Sequence, residues 1–402
     1  MIIKNITSRI ISDSRGEKTI KVFLETEKGK FSASVPSGLS KSRFEAKTVS
    51  PDKAVENIKK LILPVCCGKA FSNQSEFDKF LIELDATREK SRLGANTILA
   101  LSSAFARAGA ADASLKLYEY ISFLLHNDLS ESFFLPRPCF NILEGGSHAR
   151  NNSLDIQEFM VVPGQHSFSD NLKIGKTAFK KLKIVVERKF GALKIADEGG
   201  IAPPIKSTNE AFILLTEALS SLNNSFNVEF GIDAASSEFF TGQDYLFEGE
   251  KRSGEEMIEF YENLLKNKPL VFLEDPFSQD DFLSWQRAMH RIGNKVLLVG
   301  DDLLATNPER IKMAGRKNLC SAMILKPNQI GTISESIKAA RLAKKLGWKI
   351  IVSHRSGETK DDFIADLAVG VGADFIKSGA PGPEERMAKY RRLSEIERQI
   401  ER

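Results

Sequence analysis

Six short apolar runs in the later part of the chain each end on an ionisable side chain. Val228-Glu-Phe-Gly-Ile leads to Asp233, Leu270-Val-Phe-Leu to Glu274, and Val296-Leu-Leu-Val-Gly to Asp301. Ala322-Met-Ile-Leu leads to Lys326, Ile350-Ile-Val-Ser to His354, and Asp374-Phe-Ile to Lys377. Three successive carboxylates with no cysteine or paired histidine form an oxygen-donor set, which suits a hard cation such as Mg²⁺ and not zinc. The plainer reading of each carboxylate is a cap for the helix that follows, and it weakens when three consecutive runs end alike. Lys326 and Lys377 close apolar runs, so their stems are expected to be buried. Next to a divalent cation such an ammonium loses proton affinity and can serve as a base near neutrality. Carboxylate-bound Mg²⁺ with a lysine base answers one chemical problem: removing a weakly acidic proton beside a carboxylate, where only fixed positive charge stabilises the dianionic product.

Those groups need a frame that aims them at one place. Their positions are 41, 27, 25, 28 and 23 residues apart, about one strand plus one helix, which predicts parallel strands with crossover helices. A (β/α) barrel in the α/β class fits best, because its strands open at their C-terminal ends onto one face, where catalytic groups sit. The earlier part of the chain has another texture. Residues 19–24 and 30–35 read as strands joined at Glu27-Lys28-Gly29, and residues 2–11 can supply a third. Residues 52–63, 76–84, 95–113 and 115–125 carry apolar side chains at helical spacing. The chain is therefore expected to divide into a smaller α+β N-terminal unit, residues 1–132, and a barrel, residues 133–402. The polar stretch from His126 to Ser132 and the prolines at 136 and 138 mark the boundary.

Composition excludes several other classes. With 402 residues, 42% of them hydrophobic, the chain has ample material for a core and is not disordered. Lys plus Arg number 57 against 53 Asp plus Glu, and the basic residues are spread along the sequence, so no nucleic-acid partner is expected. No apolar stretch is long enough for a signal peptide or a membrane span, so a cytoplasmic protein without a membrane partner is expected. The four cysteines, Cys66 and Cys67 adjacent and Cys139 and Cys320 isolated, form neither a disulfide framework nor a zinc motif, as in a reducing compartment.

Seven segments carry a family resemblance: Gln157-Glu-Phe-Met160, Asp197-Glu-Gly-Gly200, Leu273-Glu-Asp-Pro-Phe277, Val299-Gly-Asp-Asp-Leu303, Leu325-Lys-Pro-Asn-Gln-Ile-Gly331, Ser353-His-Arg-Ser-Gly-Glu-Thr359 and Ile376-Lys-Ser-Gly-Ala-Pro381. They resemble the motifs of the enolases, in that family's order, and the resemblance runs from Asp13-Ser-Arg-Gly16 to the last helix. A lysine or histidine base with Mg²⁺ stabilising an ene-diolate is the general pattern of that superfamily. The resemblance implies reversible dehydration of 2-phosphoglycerate to phosphoenolpyruvate in glycolysis and gluconeogenesis, by a carbon-oxygen lyase with two Mg²⁺ ions per site. It makes Asp233, Glu274 and Asp301 the ligands of the tighter ion and Lys326 the base at C2. Glu198 becomes the acid that helps hydroxide leave C3, assisted by Glu158, with Lys377 adding positive charge at the substrate carboxylate. Arg355 and Ser356 would hold the phosphate, Gln157, His148 and His354 would line the site, and Ser40 would join the second Mg²⁺ when its loop closes.

Four departures accompany the resemblance. The lid usually reads Gly-Ala-Ser-Thr-Gly and here reads Gly38-Leu-Ser-Lys-Ser42, bulkier and with one fewer hinge glycine. Glu45-Ala-Lys-Thr-Val-Ser50 runs straight into the helix at Asp52, Glu144-Gly145-Gly146 replaces Asn-Gly-Gly ahead of His148, and Asp13-Ser-Arg-Gly16 is followed by Glu-Lys in place of Asn-Pro. The altered lid motivates one alternative, a non-catalytic enolase-like structural or binding protein. A racemase or cycloisomerase of the same superfamily would lack the phosphate-holding Ser353-His-Arg-Ser356. A homodimer, or a higher oligomer built from it, is also implied. The positions of its two interface ion pairs hold Arg9 with Glu385 and Lys21 with Glu395, the second pair with both signs exchanged.

Overall fold

The computed structural model of the chain describes residues 1–38, 42–128, 132–149, 153–220 and 227–401. The N-terminal part opens with an antiparallel sheet of three strands, Ile3–Ser12, Lys18–Thr26 and Gly29–Ser34. In the central strand Ile20, Val22 and Leu24 alternate into the core, the period of a half-buried sheet. The turn before the third strand needs Gly29, whose φ is +128°. Four helical stretches follow: Pro51–Asn57 continuing through Ile58–Ile62 to Leu63–Cys66, then Gln74–Asp85, Ala95–Asp112 and Leu117–His126. Ala95–Asp112 is buried on nearly every side, because it packs on the sheet and also on the barrel helix Ile333–Lys345. Its small and apolar residues all round are what such a sandwiched helix needs.

Eight strands close into a barrel: Arg137–Glu144, Glu158–Pro163, Val228–Asp233, Leu270–Glu274, Leu297–Gly300, Ala322–Leu325, Lys349–Ser353 and Phe375–Lys377. The six runs identified in the sequence are six of these strands. Cys139, Met160, Val162, Phe272, Val299, Ile324, Ile351 and Phe375 fill the interior, so the barrel is a packed core and its chemistry is confined to the mouth. One strand departs from uniform parallel order. Glu158–Pro163 runs antiparallel to both neighbours, Arg137–Glu144 and Val228–Asp233, because the chain leaves at Glu144 and re-enters at its register partner Glu158, on the same face of the barrel. Its reversal brings its first residue, Glu158, to the face where the other strands end.

The N-terminal part is fastened to the barrel by polar contacts beside that mouth. Arg107 donates to both oxygens of Asp361, at 3.0 and 2.8 Å, and to Asp362 at 2.8 Å. Asp361 also accepts the Ser34 N–H at 2.9 Å. Lys90 pairs with Glu335, and Asp78 accepts the Ser334 N–H. No helix among the described residues is long and apolar enough to cross a membrane, and all four cysteines are free.

Arg107→Met should leave Asp361 without its forked partner and cost about 3 kcal/mol of stability, read by urea unfolding. Burial works to raise the Asp361 pKa, but Arg107 outweighs it and holds the carboxyl below its ordinary value. A depressed folded pKa contributes stability above the unfolded value and loses it as pH falls through the folded one. The gap between wild type and variant should therefore narrow on acidification; equal stabilities at neutral pH would remove the pair from the docking.

Candidate active site at the barrel mouth

A row of acids crosses four adjacent strands at one level. The strand registers set Glu144 opposite Glu158, Glu158 opposite Asp233, and Asp233 opposite Glu274. All four are buried, so their charge needs compensation close by. Lys377, itself 1% exposed, ends its strand with Nζ 2.7 Å from Glu158, 3.1 Å from Asp233 and 2.9 Å from Glu274. Burial lowers its proton affinity, yet Asp233, Glu158 and Glu274 outweigh that and hold its pKa well above the ordinary lysine value. Lys326 behaves alike: burial opposes its charge, and its bond to Asp301 overrides burial and raises it. The lowered lysine pKa expected from the sequence is therefore not what these side chains impose by themselves.

Asp301 follows its strand on a turn built by Asp275. That residue holds φ at +39° and its carboxylate accepts the N–H groups of Asp301 at 3.0 Å and Asp302 at 2.7 Å. A non-glycine residue at positive φ is strained, and the two hydrogen bonds retain it. Asp301 then accepts from Gln329 at 2.9 Å and from Lys326. None of Asp233, Glu274 and Asp301 caps a helix; the α-helices that follow are capped by Ser253, Asp281 and Asn307, and the short 3-10 turn Ser236–Glu238 has Ala235 at that position. The donors fit a hard divalent cation: they are carboxylates, and Glu274 Oε1 is buried without a hydrogen-bond partner among the described residues. The trio is not drawn as tightly as two other sets, His148 with Glu158 and Glu198, and Asp275 with Asp301 and Asp302, whose ligand atoms lie within 4.8 Å of one another.

Glu198 enters on the turn between the helices Phe168–Phe190 and Thr208–Leu219. Asn141 donates through one amide to both Glu158, at 2.8 Å, and Glu198. His354 Nε2 lies 2.9 Å from Glu198, and the other ring nitrogen meets Arg386 Nη1 at 2.6 Å. A guanidinium only donates, so Nδ1 accepts and the proton of the neutral ring sits on Nε2, toward Glu198. Burial, with Arg386 acting in the same direction, holds the His354 pKa down at about 3. His148 is 4% exposed, with Nδ1 3.5 Å from Glu158 and 4.0 Å from Glu198. Burial also lowers its pKa. Burial and the Glu198 charge drive Glu158 well above its ordinary value.

Arg355 and Ser356 follow the strand Lys349–Ser353 and are buried. Glu45, just beyond the lid residues, takes both terminal nitrogens of Arg355, at 3.0 and 3.1 Å. Gln157 accepts from Ser147 at 2.7 Å at the same mouth. Ser40 and its neighbours Leu39 and Lys41 lie outside the described residues. The other sequence-selected residues all gather at this mouth. Sequence reasoning assigned no role to Asn141, Glu45, Gln329 and Arg386, ordinary polar residues whose importance arises from contacts across the fold. Gln329 stood inside a quoted motif, three residues after Lys326, and Glu45 opened the segment quoted after the lid; those placements were the available signals.

Two family models cover the chain, the enolase N-terminal domain over residues 3–121 and the enolase C-terminal TIM barrel domain over residues 132–402. An enolase of Mastigamoeba balamuthi is 42% identical, across 99% of this chain and 96% of that protein. "Enolase B" of Dictyostelium discoideum and an enolase of Eimeria tenella are each 43% identical, covering 100% and 99% of this chain and 96% of each relative. With acids, lysines and an arginine converging on the mouth of such a barrel, and with that similarity along its whole length, the chain belongs to the enolase family.

Proposed function

We propose that the chain catalyses the reversible dehydration of 2-phosphoglycerate to phosphoenolpyruvate, as a carbon-oxygen lyase of glycolysis and gluconeogenesis. The observation that carries the mechanism is the placement of Lys326 and Glu158 across the mouth. Their strands, Ala322–Leu325 and Glu158–Pro163, stand four places apart in an eight-strand barrel, on opposite walls. A substrate between them meets a base on one side and the Glu158–Glu198–His148 cluster on the other, which suits loss of H from C2 and OH from C3 on opposite faces. Lys326 takes the C2 proton. Glu198, oriented by Asn141 and His354, passes a proton to the leaving hydroxyl, and Glu158 assists as its source, since burial and the Glu198 charge hold the Glu158 pKa well above the ordinary value. Lys377 keeps fixed positive charge at the substrate carboxylate, and Arg355 with Ser356 grips the phosphate, with Gln157 and His148 lining the pocket.

Asp233, Glu274 and Asp301 would hold one Mg²⁺ and Ser40 would complete a second. Bound there, the ions supply positive charge against the carboxylate and offset the acids that now raise the lysine pKa values. Residues 1–132 act as a capping domain that carries the lid, and residues 133–402 as the catalytic barrel, in a cytoplasmic homodimer. The dimer reading rests on the family resemblance, which sets Arg9 against Glu385 and Lys21 against Glu395 of a twofold mate with the signs of the second pair exchanged; Arg9 and Lys21 are themselves cross-strand partners.

Three outcomes follow from this reading. A chelator should abolish formation of phosphoenolpyruvate, followed by its absorbance, and Mg²⁺ should restore it; Asp301→Asn should weaken Mg²⁺ binding in calorimetry. Full activity in metal-free buffer would end the metal assignment. Lys326→Ala should abolish exchange of the C2 proton with solvent, whereas Glu198→Gln should spare exchange better than dehydration; equal losses in Glu198→Gln contradict the division of roles. Lys21→Glu should loosen the dimer in sedimentation and added Glu395→Arg should restore it. An exposed pair contributes only about 0.2–1 kcal/mol, so low salt is required, and a monomeric wild type or an unrescued double variant refutes the pairing.

A further inference from the structure

Glu144 is a buried acid that the proposed chemistry leaves idle, although it touches the turn that carries Glu198. Its main chain pairs with that segment: Glu144 N–H donates to Ile201 O at 2.9 Å, and Ile201 N–H to Ile142 O at 2.9 Å. Its carboxylate continues the same seam. One oxygen accepts the Gly200 N–H at 2.6 Å and the other the Glu198 N–H at 3.3 Å. The fit is close: a Cβ on Gly200 would stand 2.5 Å from the Glu144 oxygen and displace it. Both oxygens face donors that cannot turn away; a carboxylate accepts from both, whereas the amide of the family's usual Asn offers a single acceptor oxygen.

We infer that Glu144 is a positioning residue for Glu198: its carboxylate fastens the Glu198-Gly199-Gly200 turn to the barrel wall and so fixes the reach of the acid toward C3. The inference rests on the reading of Glu198 as that acid. The charged and titratable groups facing Glu144 are Glu198 on the turn, Glu158 on the next strand, His148 at 3.8 Å, and Arg386 on the helix Glu384–Ile400. Burial and Glu198 push its pKa up to about 8, against the two N–H bonds and Arg386. Ionised, it offers both acceptors; protonated, it gives one up, and the clamp tightens as pH rises through that value.

The test compares Glu144→Gln, Glu144→Asp and Glu198→Gln with the wild type, measuring C2-proton exchange, dehydration and the pH dependence of kcat on the Mg²⁺-loaded full chain. Glu144→Gln sets an amide NH₂ against one of the two backbone donors. Assayed above the Glu144 pKa, where the wild-type side chain is ionised, it should lower dehydration about 100-fold, the scale of a misplacement near 1 Å, while exchange and KM change little and the inflection of kcat near pH 8 disappears. Glu144→Asp, which keeps the charge, should retain the inflection and part of the rate, and it carries the test if the glutamine variant does not fold. Equal loss of exchange and dehydration, no loss of either, or an inflection that persists in Glu144→Gln overturns the inference. If Glu198→Gln itself fails to separate exchange from dehydration, the role of Glu198 falls first; if it separates them and Glu144→Gln does not, only the role of Glu144 falls.

Discussion

Four buried carboxylates at one level of a barrel are the constraint around which the rest of this molecule is arranged. Glu144, Glu158, Asp233 and Glu274 stand on neighbouring strands in register, where each charge raises the cost of the next. Lys377 lies among three of them, Asn141 spans Glu158 and Glu198, and backbone N–H groups cover Glu144. A structure of this kind spends stability to store negative potential at one place, and that potential is what a divalent cation can use. The packed interior below the row keeps it rigid, because its strands cannot shift without opening the core.

The reversed strand belongs to the same constraint. Were Glu158–Pro163 parallel to its neighbours, Glu158 would start at the closed end of the barrel and the row would lose a member. Its reversal places an acid across from Lys326 by connectivity alone. The alternation of apolar runs and terminal polar residues made six strands legible in the sequence, since each run was short, continuous and followed by a helical pattern. The reversal was not legible in that rhythm. The other two strands, Arg137–Glu144 and Glu158–Pro163, meet at one end of the barrel, Glu144 beside Glu158, and an apolar run has no direction of its own.

Side chains divide in the same way. Asp233, Glu274, Lys326 and Lys377 could be found because a strand end is a sequence-local event. Arg386, in the first turn of a helix of charged residues, looks in sequence like any solvated position, yet it is fully buried and sets the tautomer of His354. Asn141 is equally silent, a single polar residue inside an apolar strand that two acids converge upon. Neither has a periodic or motif signature, because the groups they serve arrive from distant parts of the chain, Glu198 57 residues from Asn141 and His354 32 residues from Arg386. The capping interpretation of the acids, reasonable from sequence, fails for a local reason: each following helix already has its own Ser, Asp or Asn in place.

The two ends of the site are also physically joined. Glu45 grips Arg355 and reaches Gln329 at 3.5 Å; Gln329 donates to Asp301 at 2.9 Å and accepts from Thr306 at 2.7 Å, and the Thr306 hydroxyl oxygen in turn accepts the Lys326 N–H at 3.0 Å. The main chain repeats the link, since Ala46 N–H donates to Gln329 O at 2.8 Å. One short chain of contacts therefore runs from the arginine suited to an anion, through the segment that follows the lid, to an acid suited to a cation and to the lysine beside it. In a low-dielectric setting such bonds polarise one another, so a change of charge at either end alters the hold on Glu45. That couples the residues adjoining the lid to both halves of the site without any hinge glycine at Ser42, the position where this chain is bulkier than its relatives' pattern.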